Sequence, residues 1–206
     1  MSVAQPAAPD RKLRKRSWRA VELAALDFEA TGLDLKRDAI ISFGVVPIRD
    51  GAIELGESVY ELVDPGDVIP SPDSIVVHGL RPMDLVGAPS IATARSLLGA
   101  CLAGKFLVTW WAPVEAAFLA KLFGSEEKGW LRRAIDVRDL LIALEGDQVA
   151  SLTLSVAAER FGVPIASPHH ALDDALVTAQ LFLVLASKFG GPGGATVREL
   201  MRTRRR

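Results

Sequence analysis

Leu23-Ala24-Ala25-Leu26-Asp27-Phe28-Glu29-Ala30-Thr31-Gly32 is the stretch around which the chain is organised. Small and apolar residues fill it as far as Leu26, as in a buried strand. Then two carboxylates appear with Phe28 between them. Side chains alternate faces along a strand, so Asp27 and Glu29 point the same way, about 7 Å apart. Two acids on one face beside a core repel each other and lose hydration. A divalent cation relieves both penalties. Gly32 supplies a turn without a side chain, where a ligand or another backbone can come close. An Asp-x-Glu pair alone is also what a strand end reaching solvent looks like, so the metal reading needs further acids elsewhere.

The 206 residues suit one domain, and with half of them hydrophobic they can bury a sizeable core. The net charge of -1 excludes a domain that binds nucleic acid by overall charge. Basic residues cluster instead near the ends, at Arg11, Lys12, Arg14, Lys15, Arg16 and Arg19, and at Arg202 and Arg204 to Arg206. We expect residues 1–19 to be a disordered basic tail, 20–189 the folded domain, and 190–206 a Gly-rich and basic tail. The two tails are expected to attract long substrates. The single cysteine, Cys101, excludes an intrachain disulfide and fits a cytoplasmic setting. The most apolar stretch, Phe106 to Phe123, contains Pro113, Glu115 and Lys121 and does not read as a membrane span, and no secretory signal is visible.

Asp38 to Ile48 reads as a second strand, Asp50-Gly51 as a hairpin turn, and Ala52 to Leu62 as a third strand completing an antiparallel meander. Ser74 to Leu80 suits a short helix. Helices are expected from Pro89 or Ser90 to Gly104, from Pro113 to Phe123, on to Leu144, on to Phe161, and from His170 to Phe189. Phe106 to Trp110 and Ala134 to Val137 read as strands. The result is an α/β domain with a mixed sheet of about five strands.

Two further acids fall on apolar helix faces. Glu115 shares a stripe with Phe118, Leu119 and Leu122, and Asp174 with Ala171, Thr178, Leu181 and Leu185. Asp173 falls on the neighbouring, more exposed face. His169 lies in the loop just before the last helix, where it can face the same site as Asp174 and still reach water; an imidazole suits general-base work near neutral pH.

Together, Asp27-Phe28-Glu29-Ala30-Thr31-Gly32, Val77-His78-Gly79-Leu80 and His169-His170-Ala171-Leu172-Asp173-Asp174 resemble the DEDDh 3′–5′ exonucleases, the proofreading-subunit-like branch of the ribonuclease H fold. The first stretch matches Asp-x-Glu-x-Thr-Gly and the last His-x-Ala-x-x-Asp, over roughly residues 20 to 189. Ile135-Asp136-Val137 falls where relatives often carry an Asp-Thr pair. The middle motif departs: where relatives read His-Asn-x-x-Phe-Asp, this chain has Trp110-Trp111-Ala112-Pro113-Val114-Glu115.

The resemblance implies two ions, Mg²⁺ or Mn²⁺, held by Asp27, Glu29, Glu115 and Asp174, with His169 as general base. It places Thr31, Gly32, Leu33 and His78 against the terminal nucleotide. It implies release of nucleoside 5′-monophosphates from single-stranded nucleic acid or 3′ ends, alone, beside a polymerase or as a homodimer. Two rival readings stand beside it. One is a binding module that has the fold without the catalysis, and the other is a metal phosphoesterase acting on small nucleotides.

Overall fold

The computed structural model describes residues 5–190 and 194–203. Residues 1–4, 191–193 and 204–206 lie outside the described residues, and with them part of each expected tail.

One mixed sheet carries the fold, with strands β1 (Leu23–Ala30), β2 (Ile40–Arg49), β3 (Ala52–Ile53), β4 (Val59–Leu62), β5 (Phe106–Thr109) and β6 (Ala134–Asp136). Across it the order is β3-β2-β1-β5-β6, with β4 also pairing β2. β2 runs antiparallel to β1, whereas β5 runs parallel to β1 and β6 parallel to β5. Helices cover both faces of β1, so Leu23 to Leu26 alternate between two buried faces and neither meets water. The Asp50-Gly51 turn holds both residues at positive φ, 52° and 76°, as the tight hairpin requires. The expected third strand is interrupted: Leu55–Glu57 forms a 3-10 turn, and Glu57 leaves the edge to meet Arg49 at 3.0 Å.

The described residues form eight helices: α1 (Pro72–His78), α2 (Ile91–Leu102), α3 (Ala112–Phe123), α4 (Glu127–Leu131), α5 (Val137–Glu145), α6 (Leu154–Arg160), α7 (Ala171–Ala186) and α8 (Val197–Met201); six match the expected ones, whereas α4 and α8 were not expected. α5, α6, α7 and α8 cover the sheet face carrying Leu23, Ala25, Val46 and Ile48. α2 and α3 cover the opposite face, with Ala24, Leu26, Phe43 and Val45. None of the described helices is long and apolar enough to cross a membrane.

The terminal segments differ from the tails expected of them. Arg11–Lys15 and Trp18–Ala20 form 3-10 turns, and Trp18 is buried edge-on against Phe182 at 5.2 Å. Ser17 bridges Thr196, and the Val197 N–H donates to the Arg16 carbonyl. Thr196 and Glu199 cap each other's backbone at the start of α8, which buries Val197 and Leu200. Each segment holds the other: the apolar residues scattered among the basic ones are what dock.

Candidate active site

Asp27 and Glu29 stand at the carboxyl end of β1, on the face covered by α7. The register sets Asp27 against Gly44 of β2. A Cβ on Gly44 would lie 2.2 Å from the Ala171 carbonyl oxygen, so only glycine lets the first turn of α7 approach the sheet here. That approach brings Asp174 from α7 to the two β1 acids. His169 is held in the left-handed region at φ 61°, and its backbone N–H donates to Asp174 Oδ2 at 3.2 Å. Glu29, His169 and Asp174 each offer one ligand atom, and these atoms all lie within 4.8 Å of one another. Non-glycine residues at positive φ are uncommon, and at functional sites such conformations are often retained.

Glu115, in the first turn of α3, lies near Asp27, whose carboxyl its charge raises; Asp27 and Glu115 lie outside the group formed by Glu29, His169 and Asp174. Glu115 is buried, and its Oε2 has no hydrogen-bond partner. Burial pushes the Glu115 carboxyl up to about 8, opposed by its own backbone N–H and assisted by the charge of Asp136. Glu29 also rises to about 8, through burial first and then Asp174. Asp27 is held well above the usual carboxylate range by burial, and then by Glu115, Glu29 and Asp174. Asp174 rises as well, mainly through burial, against the His169 N–H. Among the described residues no lysine or arginine forms a salt bridge with any of the four. Four neighbouring acids without a cationic side chain are the donor set that hard, oxygen-seeking divalent ions take.

Sequence reasoning did not single out Asp136 as part of the site. At the end of β6 its Oδ1 accepts from the Asp139 N–H at 2.9 Å and its Oδ2 from the Ala112 N–H at 2.8 Å. One buried carboxylate thus caps α5 and fixes the start of α3, the helix that carries Glu115. The signal was present as an acid directly after Ala134-Ile135 and before a helix. Trp110 packs against the α7 side of the core, while Trp111 is 47% exposed with the Arg138 guanidinium 5.4 Å from its ring.

A pocket of about 420 Å³ adjoins the acids, lined among others by Phe28, Glu29, Gly32, Leu33, Val77 and His78. Leu33 is 76% exposed on its rim. The His78 Nδ1 accepts from the Leu80 N–H, and burial lowers its ring below the ordinary histidine value. Thr31 does not join the lining. It is fully buried; its hydroxyl donates to Asp38 at 2.8 Å and accepts from the Ala39 N–H, its own N–H donates to Ala39 and its carbonyl accepts from Ser71. Its polar groups are spent on shaping the loop. Gly32 is glycine for the same reason: a Cβ there would lie 2.5 Å from Asp38 Oδ2.

The exonuclease family model matches residues 24–182. A PolC-type DNA polymerase III from Thermotoga petrophila is 33% identical over 171 residues, covering 81% of this chain and 12% of that protein. The chain therefore spans about an eighth of that relative. Among solved structures, E. coli exonuclease I in complex with a dT13 oligonucleotide aligns with a TM-score of 0.70 at 13% identity, over 82% of this chain and 41% of that one. The nuclease domain of 3'hExo, a DEDDh family member bound to rAMP, aligns at 0.69 with 18% identity, over 82% of this chain and 92% of that one. With the sheet order, the strand-end acids and the family model in agreement, the chain belongs to the exonuclease family.

Proposed function

We propose that the chain is a metal-dependent 3′–5′ exonuclease that releases nucleoside 5′-monophosphates from single-stranded nucleic acid. The observation that supports it best is the set of four acids, Asp27, Glu29, Glu115 and Asp174, with raised proton affinity and no cationic side chain, beside a histidine at positive φ.

These acids fit two hard divalent ions, Mg²⁺ or Mn²⁺. Asp27, Glu29 and Asp174 would hold one, and Asp27 with Glu115 the other. When bound, the ions supply Lewis acidity for the attacking water and for the departing oxygen of a phosphodiester. The chain's own residues do the rest. Phe28, Leu33 and Val77 offer an apolar wall for the terminal base, and Gly32 leaves room for the backbone to approach it. His169 sits at the open side of the cluster and is exposed, so it can take a proton from water and pass it to solvent. The N–H of His169 on Asp174 fixes the distance between base and ligand.

The longer Glu115 in the third acid position serves the second ion in this reading, because its free Oε2 is buried next to Asp27. The PolC-type relative supports association with a polymerase, and the lone cysteine is compatible with a cytoplasmic location. The test is an end-labelled single strand incubated with Mg²⁺ or Mn²⁺, with and without chelator. Stepwise shortening from the 3′ end that stops on chelation is expected. An intact strand under all conditions would leave the fold as a binding module.

A further inference from the structure

Arg11, Arg14, Arg132 and Arg133 surround a cavity of about 330 Å³, together with Ala8, Pro9 and Gly129. The first pair comes from the turn Arg11–Lys15, and the second pair joins α4 to β6. Arg133 directly precedes β6, whereas Asp136 ends it beside α3. The cavity therefore lies at the amino end of the parallel strands, across the sheet from the four acids.

Four guanidinium groups gather there and no carboxylate answers them. Among the described residues none of the four forms a salt bridge. Arg133 is only 5% exposed; its guanidinium lies 3.8 Å over the Trp130 ring, and its Nη1 donates to the Ala7 carbonyl. Arg14 donates through Nη2 to the Arg132 carbonyl, and its Nε is buried without a partner. Burial and the like charges of Arg11 and Arg132 hold Arg14 below its ordinary value, and burial lowers Arg133 to about 10. Clustered like charges repel, and a buried cation without a counter-charge is costly. An anion in the cavity relieves both. The carbonyl contacts use few of the guanidinium donors, and the remaining forks match the oxygens of a phosphate.

We propose that this cavity is a phosphate-binding site, occupied by a backbone phosphate of a strand that extends beyond the nucleotide held at the acids. The nucleic-acid source rests on the exonuclease reading; phosphate binding itself does not. Lys12, Lys15 and Arg16, exposed on the same segment, continue the positive surface outward as a strand of repeated charges requires. A small concave site built from arginine forks favours phosphate over the single carboxylates of an acidic peptide.

Two measurements on the full chain decide it. In the first, arginines are modified with phenylglyoxal, with and without inorganic pyrophosphate, and mapped by mass spectrometry. Arg11, Arg14 and Arg132 are expected to be protected. In the second, binding of a long oligothymidylate is followed by fluorescence anisotropy in chelator, for wild type and the double variant Arg11→Ala with Arg132→Ala. Both side chains are exposed and outside the catalytic site, and a melting curve verifies folding. The double variant is expected to bind about tenfold more weakly at low salt, with a log–log salt slope shallower by about 1.4, the value for two lost contacts to a single strand. Its hydrolysis of a dinucleotide stays at the wild-type rate. Protection by pyrophosphate with an unchanged salt slope upholds the phosphate site and overturns the nucleic-acid source. No protection and no change in slope overturn the proposal, as does protection by polyglutamate alone. If the labelled strand is never shortened, the exonuclease reading fails while the pyrophosphate result still stands.

Discussion

Withdrawing divalent ions from this protein is expected to make its stability fall with rising pH, and restoring them is expected to reverse the fall. Glu29 and Glu115 each rise from the ordinary 4.5 to about 8 in the folded chain, and Asp27 and Asp174 shift in the same direction. The sign follows from proton binding. Below 4.5 both folded and unfolded states hold the protons, and nothing is lost. Between 4.5 and 8 the unfolded chain has released them while the fold still retains them, so each step up in pH favours unfolding. Above about 8 the acids are ionised in both states, and the penalty is complete.

At about 1.4 kcal/mol per pH unit, one such group accounts for at most about 5 kcal/mol. The groups interact and the site opens toward solvent, so about 2.5 kcal/mol for the cluster is the expectation. In a chain of this size that moves Tm by about 5–10 °C. The assay is thermal melting by circular dichroism in chelator and in Mg²⁺, at about pH 5.5 and about pH 8.5. The gain in Tm on adding Mg²⁺ should be small at the lower pH and large at the higher, because the ion binds carboxylates and displaces protons. Glu115→Gln should raise the metal-free Tm at the higher pH and shrink the gain from Mg²⁺. The same increment at both pH values, in wild type and variant alike, would refute the idea that these four acids together bind divalent cations.

Three other expectations follow from the same geometry. Asp27→Ala should abolish turnover with a native circular dichroism spectrum, since Asp27 alone is coupled to all three other acids; unchanged turnover of a pure preparation counts against the mechanism. His169→Ala should slow single-turnover hydrolysis about a hundredfold, as expected for a lost general base. His170→Ala should be mild, because the His170 ring is stacked on Tyr60 at 4.3 Å and is not part of the group formed by Glu29, His169 and Asp174; the reverse order would show that the loop is misassigned. Gly44→Ala should cost about 1–3 kcal/mol of stability in a denaturant titration and most of the activity, because its methyl must displace the start of α7; a fully active, fully stable variant would contradict the close approach.

The acids of the candidate site stand out in the sequence because they sit on strong periodic signals. Asp27 and Glu29 end an unmistakable buried strand, and Asp174 and Glu115 interrupt apolar helical stripes, so each stands out against its own neighbours. The interruption of the third strand was not visible, because Leu55-Gly56-Glu57 ends only when Glu57 pairs with Arg49, a partner outside the stretch itself. The Thr31–Asp38 hydrogen bond was hidden for a similar reason: a threonine beside candidate ligand acids has the same sequence whether its hydroxyl faces a ligand or Asp38.

The terminal segments show how composition can hide a fold. Basic residues dominate both, and net charge argues for disorder. Yet Trp18 carries a large apolar surface, and Thr196-Val197-Arg198-Glu199 carries the Ser/Thr-x-x-Glu capping signature. Burying one indole can contribute about 1.5–3 kcal/mol, more than a few solvated charges cost at moderate salt. The charges then need only remain at the surface, and the docking of Trp18 decides where they do so. It turns a basic run that would otherwise sample all directions into arginines fixed around one cavity. The same residue that folds the terminus therefore gives its charge a direction, and Trp18→Ala should lower thermal stability and phosphate affinity together.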